Sequence, residues 1–364
     1  MHFSHPGRRD RPLHHAAAML AALLAISGPA IGQEDPFAGG WVLDAPDSSL
    51  AFQSIKTLAD GTVKVESNGF AGLAGGIDPD GTARLRVLLD SVDTGIDLRN
   101  VRMRFLFFET FRFPEAVAQL KLDPAMVAGL PDSRRSTLTL PFTLSMHGAT
   151  VPLEARLALT HLDGDRVSVA SLEPVSVPAA AFGLDANVGK LEEAVGGISI
   201  VPTATVSFDL QFRRGPQTGP SAPDPAAPGP DGVALEAAGD FPVEACIGRF
   251  EILSRTGNIH FAPGSAALDP DSLPLLASLL DIVRRCPGMR VEIGGHTDSD
   301  GSWAANQALS EARAQAVMDH LLAEGIAPEQ LAARGYGETR PLVANDGAAN
   351  KARNRRIGFI AQPR

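Results

Sequence analysis

Two rhythms divide the chain. Over residues 40–212, apolar and polar positions alternate in short runs with the two-residue period of strands. Such runs occupy 50–52, 62–65, 83–89, 137–144, 151–159, 166–171 and 203–212. Turn-forming clusters separate them: Asp78-Pro79-Asp80-Gly81, Met146-His147-Gly148 and Asp163-Gly164-Asp165. Regular strands joined by short turns predict an all-β antiparallel barrel or sandwich. Residues 102–111 and 124–127 break the alternation and are read as helical. From residue 245 to 364 the period changes. Leu273, Leu276, Leu280 and Val283 recur at helical spacing behind Asp269-Pro270, a cap followed by a proline that needs no N–H donor. A second helix is expected over 305–324, with Ala314, Val317, Met318 and Leu321 on one face and Gly325 at its end. Strands are expected at 258–261, 290–294, 331–336 and 355–360. The order β-α-β-α-β-β predicts a small α/β sandwich.

Between these halves, residues 213–240 lose all apolar periodicity and hold six prolines from Pro216 to Pro230, among Gly, Ser, Ala and Asp. This composition is expected to form an exposed, semi-extended linker, so two tethered domains are predicted. Residues 1–32 read as a signal peptide. Arg8, Arg9 and Arg11 supply the basic region, residues 16–26 an apolar run, and Ala30-Ile31-Gly32 the small residues before a cut at Gln33. The apolar run is shorter than the roughly 20 residues a transmembrane helix needs, and no later segment is long and apolar enough to span. No cysteine lies near the cut to carry a lipid anchor. The paired arginines leave the twin-arginine route open beside the general one. The expected location is the periplasm.

Composition narrows the function. The 364 residues are 44% hydrophobic and 20% charged, a globular balance, and the net charge of −10 gives no general attraction for nucleic acid. Cys246 and Cys286 are the only cysteines. In an exported chain the pair is read as a disulfide. No nucleophile elbow, zinc-protease helix motif, phosphate loop or dinucleotide fingerprint occurs, so an enzyme is not expected and no cofactor is implied. His296, Asp298 and Asp300 stand at alternate positions, but the spacing is not that of a calcium loop, and no metal is expected.

One cluster of motifs carries specific chemistry: Gly295-His296-Thr297-Asp298, then Asn306, Leu309-Ser310-Glu311-Ala312-Arg313-Ala314, Gly335-Tyr336-Gly337-Glu338 and Asn354-Arg355-Arg356. Together with Ile259-His260-Phe261, these resemble the OmpA-like peptidoglycan-binding family. The resemblance implies non-covalent binding of the diaminopimelate-bearing stem peptide of peptidoglycan by Asp298 and Arg313, with Asn306, Thr297 and Arg355 around them. The chemistry agrees. Diaminopimelate keeps an ammonium and a carboxylate on one carbon, which a fixed carboxylate and a guanidinium match. The bland alternative is a structural Asp298–Arg313 ion pair. Lys351 stands where the family usually has Arg, so the role of Lys351, Arg353 and Arg356 stays open.

The first half resembles the YceI-like family, through Trp41-Val42-Leu43-Asp44, Asp90-Ser91-Val92-Asp93-Thr94-Gly95-Ile96-Asp97-Leu98-Arg99-Asn100, Phe113-Pro114 and Phe182-Gly183-Leu184. This implies a lipocalin-like barrel holding a long-chain lipid or isoprenoid. Phe52, Phe70, Phe105, Phe107, Phe108, Phe111, Phe113 and Phe142 are candidate cavity residues. The residues alone fit a solid core equally well, and then the chain would be a wall-tethered interaction module. Lys56 stands near where many members have His. An outer-membrane partner is compatible with this reading.

Overall fold

The computed structural model describes residues 35–215, 239–256 and 259–364. The expected signal peptide, nearly all of the proline-rich segment, and Asn258 lie outside the described residues.

The first half closes into an antiparallel barrel of eight staves, several of them kinked. β1 (Trp41–Leu43) and β2 (Ser49–Leu58) form one kinked stave, and β3 (Val63–Phe70) and β4 (Leu73–Ile77) form the next. β5 (Thr82–Leu88) pairs with β4, and the short β6 (Val92–Asp93) continues it along β3. β7 (Glu115–Lys121), β8 (Arg135–Met146) and β9 (Ala149–Asp163) follow as neighbours. β10 (Arg166–Ser171) and β11 (Val175–Pro178) both pair with β13 (Thr203–Arg214), while β12 (Ile198–Ile200) pairs with the far end of β2. β13 closes the ring, with Leu43 opposite Phe212 and Phe52 opposite Val206. Closure leaves no long unpaired edge.

Along β2, the two-residue period turns Phe52, Ser54 and Lys56 inward; opposite them on β3 lie Asn68, Glu66 and Lys64. The usual pattern inverts towards this hairpin's tip. Lys56 and Glu66 face the interior, whereas Ile55, Val63 and Val65 are exposed.

Helix α1 (Asp97–Arg102) runs into a π-helical turn, Met103–Phe108, where sequence reading expected a helix. α2 (Pro124–Val127) and α3 (Leu130–Ser133) are single turns, and α4 (Asp185–Val195) follows the turn at Gly183.

The second half is an α/β layer: α5 (Val243–Thr256), α6 (Leu273–Arg284), β14 (Met289–Gly295), α7 (Trp303–Ala323), β15 (Leu331–Gly335), α8 (Ala348–Asn354) and β16 (Ile357–Pro363). β14 is central, parallel to β15 and antiparallel to β16. Its Val291 and Ile293 are fully buried beneath Leu276, Leu279 and Val283 of α6 and Ala314 and Val317 of α7. The expected α/β sandwich is present in the order β-α-β-α-β-β, with a shortened opening strand and two added helices. The opening strand is reduced to one bridge, Phe261 to Leu268, because Pro263 lacks an N–H and Gly264 turns at φ 64°. Helices α5 and α8 were not anticipated.

The halves are also packed together rather than only tethered. Val101, Phe105, Leu106 and Phe111, on and just after α1, are buried in the same apolar cluster as Phe250 and Leu253 of α5. Gly248 on α5 permits the approach, since a Cβ there would lie 2.8 Å from Leu98 Cδ1. Beside it, the buried Arg249 donates from Nη2 to both oxygens of Asp97 at 3.0 and 2.9 Å and stacks on the Phe241 ring. Arg353 of α8 reaches Glu193 of α4 at 2.8 Å.

The expected disulfide joins Cys246 on α5 to Cys286 after α6. It closes a loop across 40 residues, worth about 4 kcal/mol in the chain-entropy model. Replacing both cysteines by alanine should lower the unfolding free energy of the second half by roughly 2–4 kcal/mol. An unchanged denaturation midpoint would contradict that assignment of its stability.

Candidate functional site

The clustered motifs meet at the C-terminal ends of the parallel strands β14 and β15. Helix α7 presses onto these ends because two positions lack a Cβ. A Cβ at Gly295 would overlap the Ser310 carbonyl, and one at Gly335 would lie 2.6 Å from the Glu311 amide nitrogen. Ser310 Oγ then accepts from the Gly337 amide at 2.9 Å, tying the following loop to the helix. The close contact sets the loop carrying Thr297 and Asp298 against the first turns of α7, where Asn306 and Arg313 project.

Asp298 is buried, yet it remains a carboxylate. Burial pushes its pKa up, but several effects outweigh this: a hydrogen bond from Arg355 Nη1 to Oδ2 at 2.6 Å, one from the Asp300 amide to Oδ1 at 3.0 Å, and the charges of Arg355 and Lys351. The net result lies below the ordinary carboxylate value. Asn306 Nδ2 donates to the Asp298 carbonyl at 3.2 Å and to Glu338 at 2.7 Å. Thr297 Oγ1 is buried with no hydrogen-bond partner among the described residues. Lys351 Nζ bonds Asp300 at 2.5 Å, so it braces the loop rather than Asp298 itself.

Arg313 does not pair with Asp298. Its Nε donates to the Ser265 carbonyl at 3.0 Å, and its guanidinium lies over the Phe261 ring. Its terminal nitrogens make no hydrogen bond among the described residues. Burial, then the Arg355 charge, lowers its pKa against the pull of Asp298. The two opposite charges are thus within electrostatic reach but unneutralised by each other. The structure brings Asp298, Thr297, Asn306 and Arg355 together, with Arg313 at their side. Sequence reading left Glu338 without a role, and it did not foresee the Lys351–Asp300 bond. Arg356 instead bonds backbone carbonyls, those of Asn354 and Arg340.

His296 lies behind the site, stacked on Tyr336. The Tyr336 hydroxyl donates to Glu292. Burial first, then the charges of Arg356 and Arg340, lowers the His296 pKa from 6.5 to about 4. Among the described residues no group of His, Cys, Asp or Glu is placed to hold a metal.

The barrel holds a second candidate site, an interior cavity of about 350 Å³. Phe52, Phe70, Phe107 and Phe108 line it. Four other candidates do not. Phe105 and Phe111 stack on one another in the core shared with α5: Phe105 leaves the helical turn on that side, and the left-handed turn at Glu109 follows before Phe111. Phe142 packs against the barrel core away from the cavity, and Phe113 packs at a tilt against the His147 ring. The cavity also has charged lining that sequence reading barely anticipated, since only Lys56 was singled out. Lys56 and Arg99 share Glu66 at 2.8 and 3.0 Å, and Arg102 lies nearby.

Residues 41–212 match the model of the YceI-like domain, and residues 260–355 match that of the OmpA family. The chain is 39% identical over 100 residues to outer membrane porin F of Pseudomonas fluorescens, covering 28% of this chain and 31% of the porin. It is 34% identical over 143 residues to peptidoglycan-binding protein ArfA of Mycobacterium tuberculosis, covering 39% of this chain and 40% of ArfA. It therefore spans less than half the length of either curated relative. A solved polyisoprenoid binding domain from Saccharophagus degradans is 32% identical, covering 48% of this chain and 98% of that one, with a TM-score of 0.43.

His296 makes stability pH-dependent with a defined sign. Its folded pKa lies below the unfolded value, so its contribution is intact above about pH 6.5 and is lost as pH falls towards 4. Over that window the unfolding free energy should fall by about 2–3 kcal/mol more in the natural protein than in His296→Gln. Parallel stability curves for the two proteins would contradict the burial of a neutral imidazole.

Proposed function

We propose that this chain, which joins a YceI-like domain to an OmpA-family domain, is a peptidoglycan-anchored carrier of a long-chain lipid or isoprenoid. Residues 245–364 form the wall-binding domain and 40–212 the barrel domain, joined by the 213–240 linker. After removal of residues 1–32 the protein works in the periplasm, held non-covalently at the wall, where an outer-membrane partner is within reach. No catalytic step is assigned to it.

One observation carries the wall-binding reading: Asp298 and Arg313 are an anion and a cation held within electrostatic reach and left unpaired with each other. Diaminopimelate supplies their complements. Its ammonium seats on Asp298, whose carboxylate has lone pairs beyond those taken by Arg355 and the Asp300 amide. Its carboxylate takes the terminal nitrogens of Arg313 in two parallel bonds. Thr297 Oγ1 and Asn306 add hydrogen bonds, and Arg355 steers both the carboxylate of Asp298 and the incoming peptide. The similarity to ArfA, a peptidoglycan-binding protein, supports the reading.

The cavity supports lipid binding over the solid-barrel alternative. Its wall is mainly apolar, and each buried methylene of a chain contributes about 0.8 kcal/mol.

Co-sedimentation of the full chain with purified sacculi tests the anchor. Asp298→Ala and Arg313→Ala should each weaken binding by at least about tenfold, since each removes a charge-assisted contact. Unchanged binding of the double variant would sink the assignment. Native mass spectrometry of protein purified from the periplasm should show a stoichiometric long-chain adduct. A clean apo mass with no uptake of added lipid would favour the solid interaction module.

A further inference from the structure

The polar end of the barrel cavity holds more positive charge than its own carboxylate satisfies. Lys56 on β2 and Arg99 on α1 converge on one carboxylate, Glu66 of β3, at 2.8 and 3.0 Å. Arg102, one helical turn beyond Arg99, also lines the cavity, and its Nε is buried with no hydrogen-bond partner. Three cations thus face one anion. Outside the cavity, Glu251 and Arg255 of α5 are within electrostatic reach of Arg102, but they pair with each other at 3.5 Å and largely cancel. Burial holds the Arg102 pKa below the usual guanidinium range, as expected for a cation lacking a close counter-charge.

Asn68 is an independent sign that a polar ligand atom belongs here. Its side chain lines the cavity one inward position deeper than Glu66, is 7% exposed, and has an amide oxygen with no hydrogen-bond partner. A buried amide oxygen left open carries an uncompensated desolvation cost. The same wall then turns apolar, through Phe52, Phe70, Phe107 and Phe108. The volume is near the low end for small-molecule sites, so it suits a single chain rather than two.

We propose that the cavity selects a single-chain amphiphile with an acidic head, a carboxylate or a phosphate, that seats between Arg102, Lys56 and Arg99. Asn68 contacts the first polar atoms below the head, and the chain runs among the phenylalanines. This rests on the lipid-carrier reading of the barrel and adds the chemistry of the head. Neutral lipids of the same chain leave the buried Nε of Arg102 without an acceptor and the three cations with Glu66 alone inside the cavity, so they are discriminated against.

The experiment is competition binding to the delipidated full chain, followed by native mass spectrometry, with matched pairs: palmitic acid against hexadecanol, and farnesyl phosphate against farnesol. At least one acid should bind about tenfold or more tightly than its alcohol, the effect of one charge-assisted contact. Preference in both pairs supports a general anion site. Preference in one pair alone supports it and names the source as fatty acid or isoprenoid phosphate. In Arg102→Gln and Lys56→Gln, checked for folding by circular dichroism, the acid-to-alcohol ratio should fall towards one. Equal binding of acids and alcohols by the natural protein would overturn the acidic-head inference and leave the lipid-carrier reading standing. Binding of none of the four would overturn both.

Discussion

Burial of the helical segment Asp97–Phe108 on two sides organises this protein. The segment carries apolar side chains on two faces, and both must be covered. Met103, Phe107 and Phe108 point to the barrel cavity, while Val101, Phe105 and Leu106 pack in the cluster that contains α5. A lone barrel would leave the second face in water. Helix α5 covers it, with Gly248 admitting Leu98 and Arg249 clamping Asp97. One short element is therefore at once the lining of a cavity, the carrier of its basic residues Arg99 and Arg102, and the seam between the two halves.

The candidate site around Asp298 depends on a second close contact, that of α7 with the ends of β14 and β15. Bare glycines at 295 and 335 let helix backbone touch strand backbone. The result is a small pocket wall in which charge is stored rather than cancelled. Arg355 keeps Asp298 ionised, and Ser265 with Phe261 holds Arg313 aside. Asp298 is stabilised by Arg355, whereas the partly desolvated charge of Arg313 is left partly unmet in the free protein, a cost that the carboxylate of a zwitterionic ligand would relieve.

Local patterns were the legible part of the sequence. Helices α6 and α7 stand where apolar spacing and caps placed them: the Asp269 side chain accepts from the Asp271 amide, and Ser302 caps α7. The long strands β8, β9 and β13 and the Cys246–Cys286 bond were equally readable. Elements with interrupted patterns were not. Gly248 sits in the middle of α5 and Gly189 in α4, and both weaken a helical reading, although each helix buries one face. In the β2–β3 hairpin, polar residues face in and apolar ones out, so alternation alone does not reveal which side is the interior. Phe105 and Phe111 looked like cavity residues because composition does not say which turn of a helix faces which core. The Lys56–Glu66–Arg99 cluster joins three separate elements and emerges only when the barrel closes.

The central claim is recognition of a zwitterion by Asp298 and Arg313. Calorimetric titration of the full chain with two stem peptides tests it most directly, one carrying diaminopimelate at its third position and the other lysine, which keeps the ammonium and lacks the second carboxylate. The account predicts saturable one-to-one binding of the diaminopimelate peptide and a loss of about tenfold or more in affinity for the lysine peptide. Equal affinity for the two would show that Arg313 does not hold the ligand carboxylate and would contradict the account.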